Sequence, residues 1–374
     1  MAGIYLHIPF CKQACNYCNF HFSTSMRSKG ALLTAIEKEL FLQQKYLNGA
    51  TIETIYFGGG TPSVLSATEL LRIFDIIYEN YNVVSNPEIT LEANPDDLSF
   101  EYLAALRATP INRLSIGVQS FSEADLRFMN RAHNAIEAKT CIEYAQDLGF
   151  DNLTIDLIYG SPTTSHAQWE ANLKQIFEYD IPHVSCYALT VEPKTPLQKA
   201  IKRGEREKVS DDHAAQQFEM LMEMMQKYGY VHYEISNFAQ PDHYARHNSN
   251  YWRGVSYLGI GPSAHSFDGN SRQWNVSNNA AYIKTLEQNE IPFTVEILTD
   301  NEKYNEYVMT SLRTIWGCDP RHINEKFGNK TLQHFNQSML PFVQSKMVEI
   351  KAKKYFLTNS GRLLADKIAV DLFI

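Results

Sequence analysis

Three cysteines lie within eight residues near the start of the 374-residue chain, at Cys11, Cys15 and Cys18. Thiolates are the usual protein ligands of iron–sulfur clusters, and ferredoxin-type runs supply four of them per cluster. A CxxxCxxC run without a fourth cysteine predicts an iron–sulfur cluster with one iron open to a small molecule. The residues alone leave two alternatives, which are a zinc site completed by His7 or His21 and three buried thiols.

A second candidate ligand-binding segment is the run Gly58-Gly59-Gly60-Thr61-Pro62. Glycines have no Cβ, so the backbone of this run can approach a ligand closely, and the proline stiffens its exit. The Gly-Lys-Ser/Thr ending of a phosphate-binding P-loop is missing. The run is therefore predicted to be either a ligand seat beside the cysteines or a tight turn.

Short apolar runs alternate with longer helical patterns over the first 230 residues, which predicts parallel βαβ units. Strands are predicted at 4–8, 52–57, 88–92, 113–118, 153–158 and 184–189, and helices at 32–47, 66–78, 100–107, 123–148 (broken), 168–177 and 211–228. Six units are too few for an eight-fold barrel, so we expect an α/β fold built on a partial, TIM-like (β/α)6 barrel. In such barrels the chemistry lies on loops after the strands, where the cysteine and glycine runs also fall.

The pattern changes after about residue 230. A strand is predicted at 230–235, and a stretch rich in Gly, Asn, Ser and His follows it. From about residue 301 the chain is mostly helical, which predicts a small helical or winged-helix-like C-terminal domain. The predicted division is therefore a barrel domain over 1–235, a connecting segment over 236–300 and a C-terminal domain over 301–374.

Composition narrows the class of protein. Hydrophobic residues make up 44% and charged residues 20%, and the net charge is −8, which is typical of an ordinary globular chain without a nucleic-acid footprint. No apolar run is long enough to span a bilayer, and no secretory signal is evident. The remaining cysteines, Cys141, Cys186 and Cys318, stand singly and are predicted to be buried small hydrophobes. An oxygen-sensitive cluster and free thiols predict a cytoplasmic protein.

The segment from Tyr5 to Cys18 resembles the signature of radical S-adenosylmethionine (SAM) proteins of the anaerobic coproporphyrinogen-III oxidase family. Three further segments match that family in order, at 57–62 (FGGGTP), 117–121 (GVQSF) and 156–160 (DLIYG). The resemblance covers nearly the whole chain and implies the partial barrel, a [4Fe-4S] cluster held by the three cysteines, and bound SAM. The glycine run would then hold the methionyl part of SAM.

By the same resemblance, ten residues are expected to contact SAM. Glu92 and Asp156 can accept hydrogen bonds from the ribose hydroxyls or the ammonium group, and Arg131 can bind a carboxylate. The full set is Tyr5, Tyr17, Gly59, Gly60, Thr61, Glu92, Gln119, Arg131, Asp156 and Ala188.

Two departures distinguish this chain from the oxidases. The oxidases carry a further cysteine two residues after the third, where this chain has Phe20, a side chain that neither binds metal nor transfers protons or electrons. Their N-terminal extension, which helps to enclose substrate, is expected to be absent here because the first strand is predicted to begin at residues 3–4. Both departures count against oxidase activity.

The run His247-Asn248-Ser249-Asn250-Tyr251-Trp252 resembles the HNxxYW motif of the heme-chaperone (HemW-like) branch of this family. Neutral imidazole is a common axial ligand of heme iron, and the two aromatic rings could pack on a porphyrin. The resemblance therefore implies heme bound through His247, with Tyr251 and Trp252 beside it. His243 is a nearby alternative ligand.

These observations support a heme chaperone that binds heme, SAM and a [4Fe-4S] cluster and delivers heme to an unidentified acceptor protein. The alternative is an oxygen-independent coproporphyrinogen III oxidase (dehydrogenase) acting by radical decarboxylation in porphyrin biosynthesis, and a third hypothesis is a radical SAM enzyme with another substrate. No residue is assigned a catalytic role, and whether the protein is an enzyme stays open. A homodimer is compatible with the sequence.

Overall fold

Six parallel strands form the centre of the structure, a computed structural model that describes the whole chain from Met1 to Ile374. Each strand is hydrogen-bonded to the next in chain order. They are β1 (Ala2–Ile8), β2 (Ile52–Gly59), β3 (Val83–Ala93), β4 (Arg113–Gln119), β5 (Leu153–Tyr159) and β6 (His183–Ala188). The predicted α/β fold with six parallel strands is confirmed.

Helices connect these strands and cover the outside of the sheet. They are α1 (Lys29–Leu42), α2 (Ala67–Asn80), α3 (Phe100–Leu106), α4 (Glu123–Phe128), α5 (Ala135–Asp147), α6 (His166–Glu178), α7 (Pro196–Lys202) and α8 (Asp211–Lys227). Side chains on β2 alternate between the two faces of the sheet. Phe57 packs edge-on against Phe74 of α2 on the outer face, and Tyr56 points to Glu92 on the inner face. The outer face supplies a core cluster of 55 buried residues, and the inner face is left for a site.

The sheet is wider than the sequence predicts. Residues 231–297 contribute β7 (Val231–Glu234), β8 (Asn237–Ala239), α9 (Arg246–Trp252), β9 (Tyr257–Ile260), β10 (His265–Phe267), β11 (Ser271–Asn275), α10 (Asn279–Glu287) and β12 (Phe293–Ile297). Strand β9 runs parallel to β1 and extends the sheet through β10 and β11 to the edge strand β12. Strands β8 and β7 extend the other side beyond β6. The predicted connecting segment is thus part of the main twelve-stranded sheet.

The C-terminal region has a hydrophobic cluster of its own, made of 12 buried residues between Tyr304 and Leu372. Its elements are α11 (Asp300–Leu312), α12 (Pro320–Gln344, interrupted at Gly328), the hairpin β13 (Val348–Lys351) and β14 (Lys354–Leu357), α13 (Asn359–Arg362) and α14 (Ala365–Asp371). Helices followed by a two-stranded hairpin agree with the predicted winged-helix-like character. None of the helices in the chain combines the length and apolar composition needed to cross a membrane.

Candidate cofactor site

The cysteine loop follows β1 and is fixed to two other parts of the barrel. The amides of Gly60 and Thr61 donate to the carbonyls of Ile8 and Phe10 at 2.9 and 2.7 Å. On the opposite side, the Asn130 side chain donates to the carbonyl of Ala14 at 2.7 Å. These bonds hold the loop over the carboxyl ends of the strands, as expected for a barrel site.

All three cysteines are partly exposed and line the same cavity, which measures about 470 Å³. No three His, Cys, Asp or Glu side chains converge as they would around a single metal ion. In a four-iron cluster each thiolate binds a different iron atom, so the three sulfur atoms need not converge on a single point. The thiol groups thus fit a cluster of this kind. The lone cysteines Cys141, Cys186 and Cys318 are buried, as predicted.

The cavity gathers nine of the ten residues expected to contact SAM. They are Tyr17, Gly59, Gly60, Thr61, Glu92, Gln119, Arg131, Asp156 and Ala188. The tenth, Tyr5, does not line the cavity; its hydroxyl lies 3.2 Å from His7 Nδ1, deeper in the barrel. Residues from five strand ends therefore meet in one place, although the nine residues are spread over about 170 positions of the chain.

Arg131 connects the cysteine loop to the strand ends. Its guanidinium donates to Asn94 Oδ1 at 2.8 Å and to Cys15 Sγ at 3.2 Å, while Asn94 donates to Thr61 Oγ1 at 3.2 Å. The Nε of Arg131 is buried without a partner, so one donor remains for an acidic ligand such as the carboxylate of SAM. Asn94 is not among the residues predicted from the sequence, although a polar residue directly after a barrel strand is the signal that identifies such positions.

Phe20 lies at the mouth of the cavity and its side chain is 69% exposed. Its neighbours along the loop, Cys18 and Phe22, line the same cavity. The residue that replaces the further cysteine of the oxidases thus gives the mouth an apolar surface.

Two partly buried carboxylates, Glu92 and Asp156, line the cavity. Burial raises the pKa of Glu92 to about 7 and that of Asp156 to about 6, and the charge of Asp156 further raises the pKa of Glu92. Glu92 accepts a hydrogen bond from the Tyr56 hydroxyl at 2.8 Å, which partly compensates for the burial. Since proteins keep buried charge mainly where it serves a purpose, this pair marks the cavity as a binding site.

Replacing Glu92 by Gln should make stability less dependent on pH. The unfolded chain ionises Glu92 near its ordinary pKa of 4.5, but the folded chain does so only near 7, so wild-type stability falls as the pH rises between these values. We therefore compare the unfolding free energy of Glu92→Gln with that of wild type at two pH values. The variant should gain about 2–3 kcal/mol relative to wild type when the pH is raised from 5 to 8. Denaturant unfolding of the cofactor-free proteins at both pH values measures this.

The control for this experiment is Glu290→Gln, because Glu290 is an exposed loop carboxylate. Its difference from wild type should stay within about 0.5 kcal/mol at both pH values. A Glu92→Gln difference that does not change with pH would show that the Glu92 carboxyl is not perturbed by burial.

The HNxxYW segment lies elsewhere. It forms α9, whose first amides, those of Arg246 and His247, donate to the carboxylate of Glu88 at 2.9 and 2.8 Å. The His247 ring is 3% exposed and both nitrogens are engaged: Nδ1 lies 2.8 Å from Thr54 Oγ1 and Nε2 lies 2.9 Å from the Tyr251 hydroxyl. None of the motif residues lines the cofactor cavity. Since Thr54 precedes Tyr56 on β2, the motif closes the barrel below the cavity.

The other aromatic residue of the motif faces the C-terminal region. The Arg313 guanidinium lies 5.7 Å from the Trp252 ring, and Arg253 lies 4.1 Å above Trp316 in a reciprocal contact. His243, the alternative ligand, is exposed, and only its Nδ1 has a partner, the carbonyl of Pro241. Of the two candidate heme ligands, His247 is therefore buried and His243 is accessible to solvent.

Comparison with known proteins agrees with this arrangement. Residues 5–176 match the radical SAM superfamily and residues 298–364 match the HemN C-terminal domain. The structure superposes on that of coproporphyrinogen III oxidase (HemN) from Escherichia coli with a TM-score of 0.85 and 23% identity, covering all of this chain and 90% of that one. This likeness establishes the shared fold.

Similarity to heme chaperones extends over the full length. The chain is 32% identical to the heme chaperone HemW of Bacillus subtilis over 98% of both chains. It is 32% identical to HemW of Mycobacterium tuberculosis, covering 98% of this chain and 93% of that one, and 36% identical to HemW of Escherichia coli over 70% and 69%. With the fold and the cysteine-lined cavity, this similarity shows that the chain belongs to the HemW family of heme chaperones within the radical SAM superfamily.

Proposed function

We propose that the protein binds heme and passes it to an acceptor protein, and that it carries a [4Fe-4S] cluster and SAM in its cavity. The observation that carries this proposal is the similarity to heme chaperones over 98% of both chains. Membership of the radical SAM superfamily implies the cluster and SAM. The intact HNxxYW segment supports heme as the cargo.

The cavity residues divide between the two cofactors. Cys11, Cys15 and Cys18 would hold the cluster, and the nine cavity residues named above would hold SAM, with Arg131 on its carboxylate and Glu92 and Asp156 as acceptors. When bound, the cluster and SAM would supply the reductive chemistry that radical SAM proteins share. In a chaperone we assign the cluster and SAM a structural or regulatory part.

Heme binding through His247 sets a requirement on α9. Burial lowers the pKa of His247 to about 3, so the imidazole is neutral near pH 7 and chemically suited to iron. Both nitrogens, however, face hydroxyl groups, so iron must replace Tyr251 or Thr54 as a partner. We therefore propose that α9 leaves its position below the barrel when heme is captured, with Tyr251 and Trp252 freed to pack against the porphyrin.

A heme titration of anaerobically reconstituted protein tests this assignment. Wild type should give a Soret band that saturates at about one heme per chain. Loss of a residue that only supports a metal ligand weakens binding by roughly 10- to 100-fold, and His247→Ala should weaken heme binding by more than this. His166→Ala, in an exposed position on α6, is the matched control and should bind like wild type.

His243→Ala separates the two candidate ligands. Normal binding by this variant and loss in His247→Ala support the buried histidine, whereas the reverse result assigns heme to the exposed one. Binding that survives in both variants would contradict the motif assignment. Formation of protoporphyrinogen from coproporphyrinogen by the same reconstituted sample would contradict the chaperone proposal and favour the oxidase.

A further inference from the structure

Three rings form a column through the inside of the barrel. Tyr5 and Tyr56 lie with centroids 6.1 Å apart and planes 23° apart, and Tyr56 and His247 lie 5.0 Å and 26° apart. Tyr56 and His247 are almost completely buried, at 8% and 3% exposure. The column thus connects the HNxxYW segment below the barrel with the cofactor cavity above.

The middle ring of the column, Tyr56, contacts the cavity carboxylate Glu92. Tyr56 donates its hydroxyl hydrogen to Glu92 Oε1 at 2.8 Å. This junction is tightly packed, because a Cβ added at Gly58 would lie 3.0 Å from Glu92 Oε1, from the Tyr5 ring and from the Tyr56 ring. Close-packed groups have little room to shift, so a change in the height of Tyr56 must move Glu92.

The lower end is held equally firmly. Thr54 and Tyr251 engage the two nitrogens of His247, and Glu88 fixes the start of its helix through two backbone amides. A Cβ added at Gly3 would lie 2.8 Å from Thr54 Oγ1 and 3.1 Å from the His247 ring, so the backbone of β1 closes the remaining side. The ring that supports Tyr56 therefore has a fixed position.

We propose that His247 is a positioning residue for the SAM site: its ring supports Tyr56, and Tyr56 holds Glu92 where SAM is bound. This inference rests on the proposed function, since it takes Glu92 to contact SAM. It gives the HNxxYW segment a part in cofactor binding separate from heme ligation. It also links the two ligands, because heme that draws His247 out of the column removes the support of Tyr56, and such coupling is reciprocal.

The test is a double-mutant cycle read as the dissociation constant of SAM, measured by equilibrium dialysis on cluster-loaded protein. His247→Ala and Tyr56→Phe should each weaken SAM binding about tenfold, the size of one hydrogen bond to a carboxylate. The double variant should be no weaker than either single variant, because both act through Glu92. Effects that multiply to about 100-fold, or an unchanged constant in His247→Ala, would overturn the proposal.

Two further variants, together with Tyr56→Phe, make the result unambiguous. His247→Phe keeps a ring under Tyr56, so its SAM binding should be close to wild type although it cannot bind heme iron; affinity as weak as in His247→Ala would contradict the supporting role. Tyr56→Phe leaves the His247 packing intact, so it tests the path even where His247→Ala fails to fold. Glu92→Gln should weaken SAM binding. If Glu92→Gln binds SAM as tightly as wild type, the assignment of Glu92 to the SAM site fails. If Glu92→Gln binds SAM more weakly but His247→Ala binds it like wild type, only the coupling through His247 is overturned.

Discussion

Replacing Cys15 by Ala is expected to leave the reconstituted protein without its cluster. Only two of the three thiol ligands would remain, which leaves a second iron of the cluster without a protein ligand. In addition, the Arg131 guanidinium, which lies 3.2 Å from Cys15 Sγ, would face a neutral methyl group. Iron and sulfide should fall from about four of each per chain to less than about one. Colorimetric iron and sulfide analysis after anaerobic reconstitution measures the loss.

Cys141→Ala is the matched control for this variant. Cys141 is buried in α5, and its thiol makes one local contact, to the carbonyl of Ala138 at 3.3 Å. Its replacement should retain the full cluster at a stability loss of about 1 kcal/mol. A full iron content in Cys15→Ala would mean that the cluster is not held by this loop. A reduced iron content in Cys141→Ala would mean that the iron content depends on correct folding and not on the cysteine ligands.

The parallel core of the barrel was predictable because its signals are local and repeated. Each central strand is a short apolar run followed by an amphipathic helix, and Ser66, Asn134 and Ser165 cap their helices through the side-chain pattern that sequence reveals. The cavity residues follow from the same regularity, since the ends of parallel strands meet. The resemblance named the three cysteines and nine further cavity residues, and strand-end position alone could have added Asn94.

Residues 236–300 were harder to place for a physical reason. Strands β8 and β10 are three residues long, too short for a period of two to stand out from chance. Strand β9 gains its stability from pairing with β1, more than 250 positions earlier in the chain. Glu39 illustrates the same dependence: this buried carboxylate in α1 accepts hydrogen bonds from Gly261, Asn275 and Tyr282, contacts that no local pattern reveals.

The motif histidine shows the limit of resemblance. A matching HNxxYW segment identifies His247 as important, but its sequence neighbourhood is polar and suggests an accessible loop. The structure buries the ring because Thr54, from a strand 193 positions earlier, and Tyr56 complete its surroundings. A role in binding therefore depends on contacts that only the folded chain supplies.

The second large effect is expected for Gly60→Ala. The φ of Gly60 is outside the left-handed region, so alanine is allowed by the backbone, but its Cβ would lie 2.7 Å from both the nitrogen and the oxygen of Phe10 and 2.9 Å from the Ile8 oxygen. These are backbone atoms of the cysteine loop, so the loop itself must move. We expect the unfolding free energy to fall by about 1–3 kcal/mol and the iron content after reconstitution to fall to less than about half of wild type.

Gly30→Ala isolates the steric cause of that effect. Gly30 lies in the first turn of α1, where an added Cβ meets nothing within 4 Å, and alanine favours the helix. This variant should keep full iron content and gain up to about 1 kcal/mol of stability. If Gly60→Ala matched Gly30→Ala in iron content, the glycine run would not be needed for the cysteine loop to approach β2, and its remaining role would be contact with SAM.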